Sequence, residues 1–144
     1  MVDPVAEVEA AMVVIRRRQA RRTLAREVGM APRDNAIQQV IDALEAAEDE
    51  LIGVNGVAEA LSVDQPRASK LVAAAVVAGL VRREADQLDG RRTNLVLTDD
   101  GRARLDAVHA IRRARFATAM EEWSEADKAA FATLLTRFVS ALDR

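Results

Sequence analysis

The stretch that decides the fold runs from residue 54 to residue 98 and reads VNGVAEALSVDQPRASKLVAAAVVAGLVRREADQLDGRRTNLVLT. Its first half predicts two helices joined by a tight turn, because apolar residues recur at helical spacing on both sides of that turn. We expect Asn55 to cap the first helix and Asp64 to cap the second, which covers residues 65–78. Gly79 supplies the left-handed residue that ends it. A short helix, a tight turn and a longer helix are typical of a helix-turn-helix.

The second half of this stretch predicts a β-hairpin. Strands are expected at residues 80–84 and 93–97, and the polar loop between them, residues 86–92, contains an Asp-Gly turn signal. A further short strand, residues 51–54, is expected at an edge of the same small sheet. A basic hairpin directly after a helix-turn-helix is a wing. The predicted fold class is therefore mainly α (α+β), a winged helix-turn-helix with a small β-hairpin wing.

Helices with apolar stripes are predicted on both sides of this unit. The first covers residues 4–28 and the second residues 33–48, while a long helix from residue 99 to residue 123 precedes a last helix that Ser124 begins. The stripes of the terminal helices consist of Val8, Met12, Ile15, Phe131, Leu134, Leu135, Phe138, Val139 and Leu142. The apolar surface of these stripes is larger than one small lobe can cover, which predicts an obligate two-fold dimer.

The net charge of −2 hides an uneven distribution of charged residues. The charged residues between positions 34 and 59 are all acidic, whereas residues 16–26 carry six arginines and no acid. A second basic group, with acids interspersed, consists of Arg67, Lys70, Arg82, Arg83, Arg91, Arg92, Arg102 and Arg104. Such a strip is the electrostatic footprint that a DNA-binding protein needs, and the alternative explanation is solvated helix faces with local ion pairs. The N-terminal arginines can face the DNA backbone or pair with the acidic second helix, and we favour the pairing.

The second helix of the helix-turn-helix must present its first turns to base edges in the major groove, which is about 12 Å wide. There Arg67 can bond a guanine or a phosphate, and Gln65 can pair with adenine. Ser69 and Lys70 suit phosphate or base contacts, and the helix N-terminus adds backbone N–H groups for a phosphate. The wing is expected to place an arginine in the narrow, electronegative minor groove.

The segment from Val54 to Gly101 resembles the MarR-type (multiple antibiotic resistance regulator) family at motif level, and the helix order extends the resemblance across nearly the whole chain. The matching runs are VAEAL at 57–61, VDQPRASKLV at 63–72, GLVRR at 79–83, DGRR at 89–92 and LTDDG at 97–101. The resemblance implies an Asp-x-Arg wing motif in which Asp89 orients Arg91 toward the minor groove. One departure is that Pro66 and Arg67 stand where the family commonly carries small hydroxyl residues, which bears on base readout and not on the fold.

The resemblance implies a sequence-specific transcriptional regulator, a repressor, that binds a pseudo-palindromic operator in double-stranded DNA as a homodimer and is released by a small aromatic effector. It also implies one MarR-like domain over residues 1–144, in which residues 1–32 and 105–144 form a helical dimerisation region and residues 33–104 the DNA-binding lobe. The predicted DNA-binding residues are Gln65, Pro66, Arg67, Ser69, Lys70, Asp89, Arg91 and Arg92. The alternative function is a winged-helix protein–protein interaction module that does not bind DNA.

Composition excludes several other classes. The chain has no cysteine and one histidine, His109, so thiol chemistry, disulfides and a multi-histidine metal site within one chain are ruled out. No nucleophile elbow or glycine-rich phosphate loop is present, and we expect no catalytic residue and no cofactor. His109 is expected on a helix surface or at an interface, and Trp123 in the core. No membrane span or signal peptide is apparent, so a cytoplasmic protein is expected.

Overall fold

The computed structural model describes residues 1–20, 31–47 and 50–144. Within them the elements are, in chain order, α1 (Pro4–Ala20), α2 (Pro32–Ala46), α3 (Val54–Leu61), α4 (Gln65–Val77), β1 (Val81–Ala85), β2 (Thr93–Leu97), α5 (Asp99–Ala119) and α6 (Glu125–Leu142). The predicted fold class, mainly helical with one hairpin, is confirmed. The predicted C-terminal parts of the first two helices, up to residues 28 and 48, lie partly outside the described residues. The chain divides into two compact units, Met1–Val108 and His109–Arg144.

The core of the first unit is formed by α2, α3, α4, the hairpin and the beginning of α5. Its buried side chains are Ile37, Val40, Ile41, Leu44, Val57, Ala58, Ala68, Val72, Ala75, Leu80, Val81, Leu95 and Leu105. The inward positions predicted for the two helices of the helix-turn-helix are confirmed for Val57, Ala58, Ala68, Val72 and Ala75, while Leu61 and Leu71 are partly buried against this core. Small residues on α4 let this helix pack closely against its neighbours. This packing fixes the position of the helix that carries the predicted base contacts.

Local hydrogen bonds define both ends of α4. The side chain of Asp64 accepts a hydrogen bond from the Arg67 N–H at 2.8 Å, as predicted for an N-cap. At the other end Gly79 has a φ of 78°, and the N–H groups of Gly79 and Leu80 donate to the carbonyls of Val76 and Ala75. These two bonds form a Schellman motif, so the predicted glycine stop is confirmed.

The hairpin pairs β1 with β2 in antiparallel register, with Arg83 opposite Leu95. The strand predicted at residues 51–54 is wrong, because residues 51–53 are not part of the two-stranded sheet and Val54 already begins α3. This segment gives β2 a single backbone bond, from the Leu95 N–H to the Ile52 carbonyl at 2.9 Å.

The cap predicted for α3 is also wrong. Gly53 occupies the N-cap position, and no side chain caps this helix. A Cβ at Gly53 would lie 2.7 Å from the Thr93 carbonyl oxygen, so only glycine allows the chain to pass this close to β2. The helix therefore begins one residue before Asn55, the predicted cap.

The second unit contains the end of α5 and all of α6. Ser124 caps α6 by accepting from the Asp127 N–H at 3.1 Å, as predicted. Trp123 and Phe131 pack edge to face, with ring centroids 5.3 Å apart. They remain 40% and 44% exposed within this chain, so a core position for Trp123 is not confirmed. Among the described residues, no helix is both long and apolar enough to cross a membrane.

Candidate nucleic-acid interface

The first turns of α4 present the predicted base-contacting residues. Gln65, Pro66, Arg67 and Lys70 are exposed, while Ser69 is half-buried. A shallow depression of about 320 Å³ is lined by Asp64, Pro66, Arg67 and Lys70. The two cationic side chains thus line one shallow depression on a helix whose opposite face is buried in the core.

The backbone at the start of α4 offers fewer free donors than the sequence suggested. The Arg67 N–H is taken by the Asp64 carboxylate, the Ala68 N–H donates to the Asp64 carbonyl at 3.0 Å, and Pro66 has no N–H. Gln65 keeps the remaining N–H of this turn, beside a negative charge. A phosphate site on these backbone groups is therefore not supported, and any anion contact here depends on the Arg67 and Lys70 side chains.

Asp89 and Arg91 are in contact at the tip of the hairpin. The Arg91 N–H donates to Asp89 Oδ1 at 3.1 Å, and the guanidinium Nε lies 3.5 Å from the same oxygen. The Arg91 side chain is 94% exposed, whereas that of Asp89 is 43% exposed. The turn is closed by the Arg92 N–H, which donates to the Asp89 carbonyl at 2.9 Å. The carboxylate therefore binds the backbone N–H of an arginine that projects into solvent and lies beside its guanidinium.

The turn does not need the glycine conformation that its Asp-Gly sequence suggested. Gly90 lies outside the positive-φ region, and a Cβ there would meet nothing within 4 Å. The side chain of Asp89, and not a left-handed glycine, is what shapes this part of the loop.

Asp86 is a structural residue of the wing that the sequence analysis missed. Its Oδ1 accepts from the N–H groups of Leu88 and Asp89 at 2.8 and 3.2 Å, and its Oδ2 accepts from the Asn94 amide at 3.0 Å. The Asn94 side chain, together with these amides, lowers the pKa of Asp86 below its ordinary value of 3.8. An aspartate side chain that accepts from the backbone N–H two residues later forms a recognisable turn. This signal in the sequence could have identified Asp86.

Arg104, which the sequence analysis grouped with the basic strip, forms hydrogen bonds within the fold. Its Nε donates to the side-chain oxygen of Gln38 at 3.2 Å, and its Nη2 donates to the Asp34 carbonyl at 3.0 Å. Gln38 is 1% exposed, and its Nε2 donates to Asp42 Oδ1 at 2.9 Å. Arg104 therefore ties α5 to α2 and satisfies a buried amide.

Two other predictions concern charged groups away from this surface. Arg16, Arg17 and Arg18 are exposed on α1, and the rest of the N-terminal arginine run lies outside the described residues, so its pairing with α2 stays a prediction. His109 is half-buried on α5. Within the described parts of the chain, no group of three or more acidic or histidine side chains is placed to hold a metal ion.

Residues 39–92 match the family model described as MarR family. This match covers α3, α4 and the wing up to Arg92, so the resemblance inferred from the motifs is confirmed for the segment that carries the candidate interface. No curated protein sequence matches the chain.

Solved structures share the fold over nearly the whole chain. A MarR family protein from Bacillus stearothermophilus aligns with a TM-score of 0.75 at 19% identity, covering 97% of this chain and 96% of that one. The S. aureus MepR–DNA complex aligns with a TM-score of 0.60 at 23% identity, covering 92% and 96%. S. aureus MepR bound to ethidium bromide aligns with a TM-score of 0.61 at 21% identity, covering 90% and 95%. At these identities the likeness establishes the winged-helix fold.

Proposed function

We propose that this chain, whose residues 39–92 match the MarR family, is a sequence-specific DNA-binding transcriptional regulator. The observation that carries the proposal is the joint exposure of Arg67 and Lys70 on the first turns of α4 and of Arg91 at the wing tip. Residues 65–92 contain six basic and three acidic residues in a chain whose net charge is −2. A locally basic surface on a winged helix suits a duplex with one charge per about 1.7 Å of axis.

In this proposal α4 enters the major groove and the wing follows the adjacent minor groove. Arg67 and Gln65 contact base edges, while Lys70 and Ser69 contact phosphates or bases. Arg91, held by Asp89, enters the minor groove, and Arg92 contacts the backbone beside it. Pro66 has an exposed ring and no N–H, and it contributes an apolar surface at the start of the helix.

The protein acts on DNA as a homodimer. Val5, Val8, Val14 and Ile15 are exposed on α1. In the second unit the exposed large apolar side chains are Ile111, Phe116, Trp123, Phe131, Leu134, Leu135, Val139 and Leu142. Aromatic and aliphatic surface of this extent marks a protein interface, and a second copy is the partner that the two-fold arrangement of an operator requires. Light scattering at low micromolar concentration should give about twice the mass of 15.7 kDa, and a monomer would contradict this part of the proposal.

We propose that the protein represses transcription by occupying a pseudo-palindromic operator and that a small aromatic molecule releases it. The MepR structure with ethidium bromide supports an effector of this class, because that protein shares the fold and binds a planar aromatic compound.

The test is selection of bound duplexes from a random-sequence library, followed by binding titrations with the enriched duplex and with a scrambled one. We expect an enriched palindromic sequence and at least about a thousandfold preference for it. The double variant Arg67→Ala/Lys70→Ala should lose that preference while keeping the dimeric mass. Failure to enrich any sequence, with an intact dimer, would favour the protein–protein interaction module instead.

A further inference from the structure

Leu88 is the most exposed large apolar residue of the wing. Its side chain is 99% exposed and lies in the loop between β1 and β2. Single exposed leucines are common on protein surfaces, so exposure alone carries little weight. Leu88 differs because it lies on the hairpin and not on the apolar stripes of α1 or of the second unit, which the proposed dimer covers.

The backbone of Leu88 is held in place by the hydrogen bonds that organise the loop. The Leu88 N–H donates to Asp86 Oδ1 at 2.8 Å, and the second oxygen of the same carboxylate accepts from Asn94, which is 6% exposed. The Asp86 N–H donates in turn to the Arg92 carbonyl at 2.9 Å and closes the loop. A backbone fixed in this way keeps the leucine projecting into water, where its apolar surface is unfavourably hydrated.

The same loop presents Arg91, which is 94% exposed and held by Asp89. One hydrogen-bonded loop therefore offers an apolar and a cationic side chain three residues apart. A DNA minor groove provides the complementary pair of surfaces, since its floor concentrates negative potential and its walls are the C–H faces of deoxyribose. At about 6 Å wide, the groove places a wall close to an inserted arginine.

We propose that Leu88 is a second, apolar DNA contact of the wing, which packs against the deoxyribose wall of the minor groove next to Arg91. This inference rests on the proposed function. Unlike the other proposed DNA contacts of the wing, Leu88 has neither a charge nor a side-chain hydrogen-bonding group. It would contribute to affinity by burying hydrocarbon surface. Because burial releases no counterions, this contribution to affinity is independent of salt.

The experiment compares four variants on the duplex that the parent chain selects from a random library. Leu88→Ala should weaken binding by about fivefold for each engaged wing, because it removes roughly half of the free energy gained by burying a leucine side chain. The slope of log affinity against log salt should stay at the parent value. Leu88→Met, which keeps an apolar side chain of similar volume, should bind like the parent. Val77→Ala, which removes another exposed side chain (81% exposed) from the end of α4, is the matched control and should bind like the parent.

The fourth variant, Arg91→Ala, should lower both the affinity and the salt slope, which separates the two wing contacts. Equal affinity of Leu88→Ala and the parent overturns the inference while leaving the proposed function intact. A Leu88→Ala chain that loses its dimeric mass overturns it in favour of a contact with the second copy. Absence of binding by the parent to any duplex overturns the proposed function and this inference together.

Discussion

The Thr98 hydroxyl donates a hydrogen bond of 2.6 Å to the carbonyl oxygen of Gly79, the residue that ends α4. The Thr98 hydroxyl oxygen also accepts from the Gly101 N–H at 3.0 Å and so caps α5, while the Thr98 N–H donates to the Leu80 carbonyl at 3.1 Å. A Cβ at Gly101 would overlap the Leu80 carbonyl oxygen, so only glycine allows this approach. One threonine thus joins the end of the helix proposed to read bases to the start of α5.

Replacement of Thr98 by valine should therefore lower the free energy of unfolding by about 1–2 kcal/mol, since it removes both an N-cap and a hydrogen bond to Gly79. Thr98→Ser keeps the hydroxyl and should lose less than half of that amount. Urea unfolding followed by circular dichroism measures the difference. Equal stability of the valine and serine variants would show that the hydroxyl contributes nothing.

Much of this architecture follows from short-range sequence signals. Asp64 and Gly79 act on groups within five residues of themselves, so the sequence near each of them predicts its role. The alternation of buried and exposed residues on α4 follows from helical spacing alone. The wing was recognisable for the same reason, because its strands and its turn are contiguous.

The predictions that failed depend on contacts between distant residues. The hydrogen bonds of Arg104 could not be predicted, because its partner Gln38 is 66 positions away. Gly53 begins α3 because β2 passes close by at Thr93, and the local sequence offered Asn55 as a better cap. Residues 51–53 have strand-like composition but contribute one bond to β2, which is too little to make a third strand.

The loop of the wing should depend on the ionisation of Asp86. Its pKa is lowered from 3.8 by the side-chain hydrogen bond from Asn94 and by the Leu88 and Asp89 amides. Because the folded-state pKa lies below the unfolded value, the stabilisation is present above pH 3.8 and is lost as the pH falls through the folded-state pKa. The NMR chemical shift of the Leu88 amide should therefore titrate with a midpoint below 3.8.

The matched variant is Asp86→Asn, which keeps the shape of the side chain and removes the charge. Its Leu88 amide should show no such titration, and the amide should exchange with solvent faster than in the parent at neutral pH. A parent titration midpoint above 3.8 would contradict the proposed hydrogen-bonded carboxylate.

Salt should weaken DNA binding steeply. If each protomer places Arg67, Lys70 and Arg91 on phosphates or near them, the dimer makes about six such contacts, and the log–log slope should be roughly −5. Removing Arg67 and Lys70 together should bring the slope to roughly −2, since about four contacts are lost. Lys128→Ala is the control, because Lys128 pairs with Glu125 at 3.0 Å on α6, outside the proposed interface. Fluorescence anisotropy over a salt series gives the slopes, and a parent slope near zero would exclude the electrostatic footprint.

The wing and α4 should recognise different parts of one operator. Arg91→Ala should weaken binding and flatten any preference for A·T flanks, because a guanidinium in a narrow minor groove responds to potential and width and not to a unique hydrogen-bond pattern. Arg67→Ala should instead relax the preference at the centre of each half-site, by about 1–3 kcal/mol if its contact to guanine is bidentate. Asp89→Ala should resemble a milder Arg91→Ala, since the arginine stays but loses the carboxylate that lies 3.5 Å from its Nε.

The measurement is binding of the three variants to the selected operator and to versions altered either at the half-site centre or at the flanks. Each variant then gives two ratios of affinity, the selected operator against the version altered at the centre and against the version altered at the flanks. The proposed division of roles requires that a variant change one ratio and leave the other unchanged. Arg91→Ala should change the flank ratio and spare the central one, whereas Arg67→Ala should do the reverse. Since Asp89 holds Arg91 through one oxygen that also accepts the Arg91 N–H, its removal should change only the flank ratio. If Arg91→Ala binds every version as tightly as the parent does, the wing is a solvated hairpin and its arginine is no part of the interface.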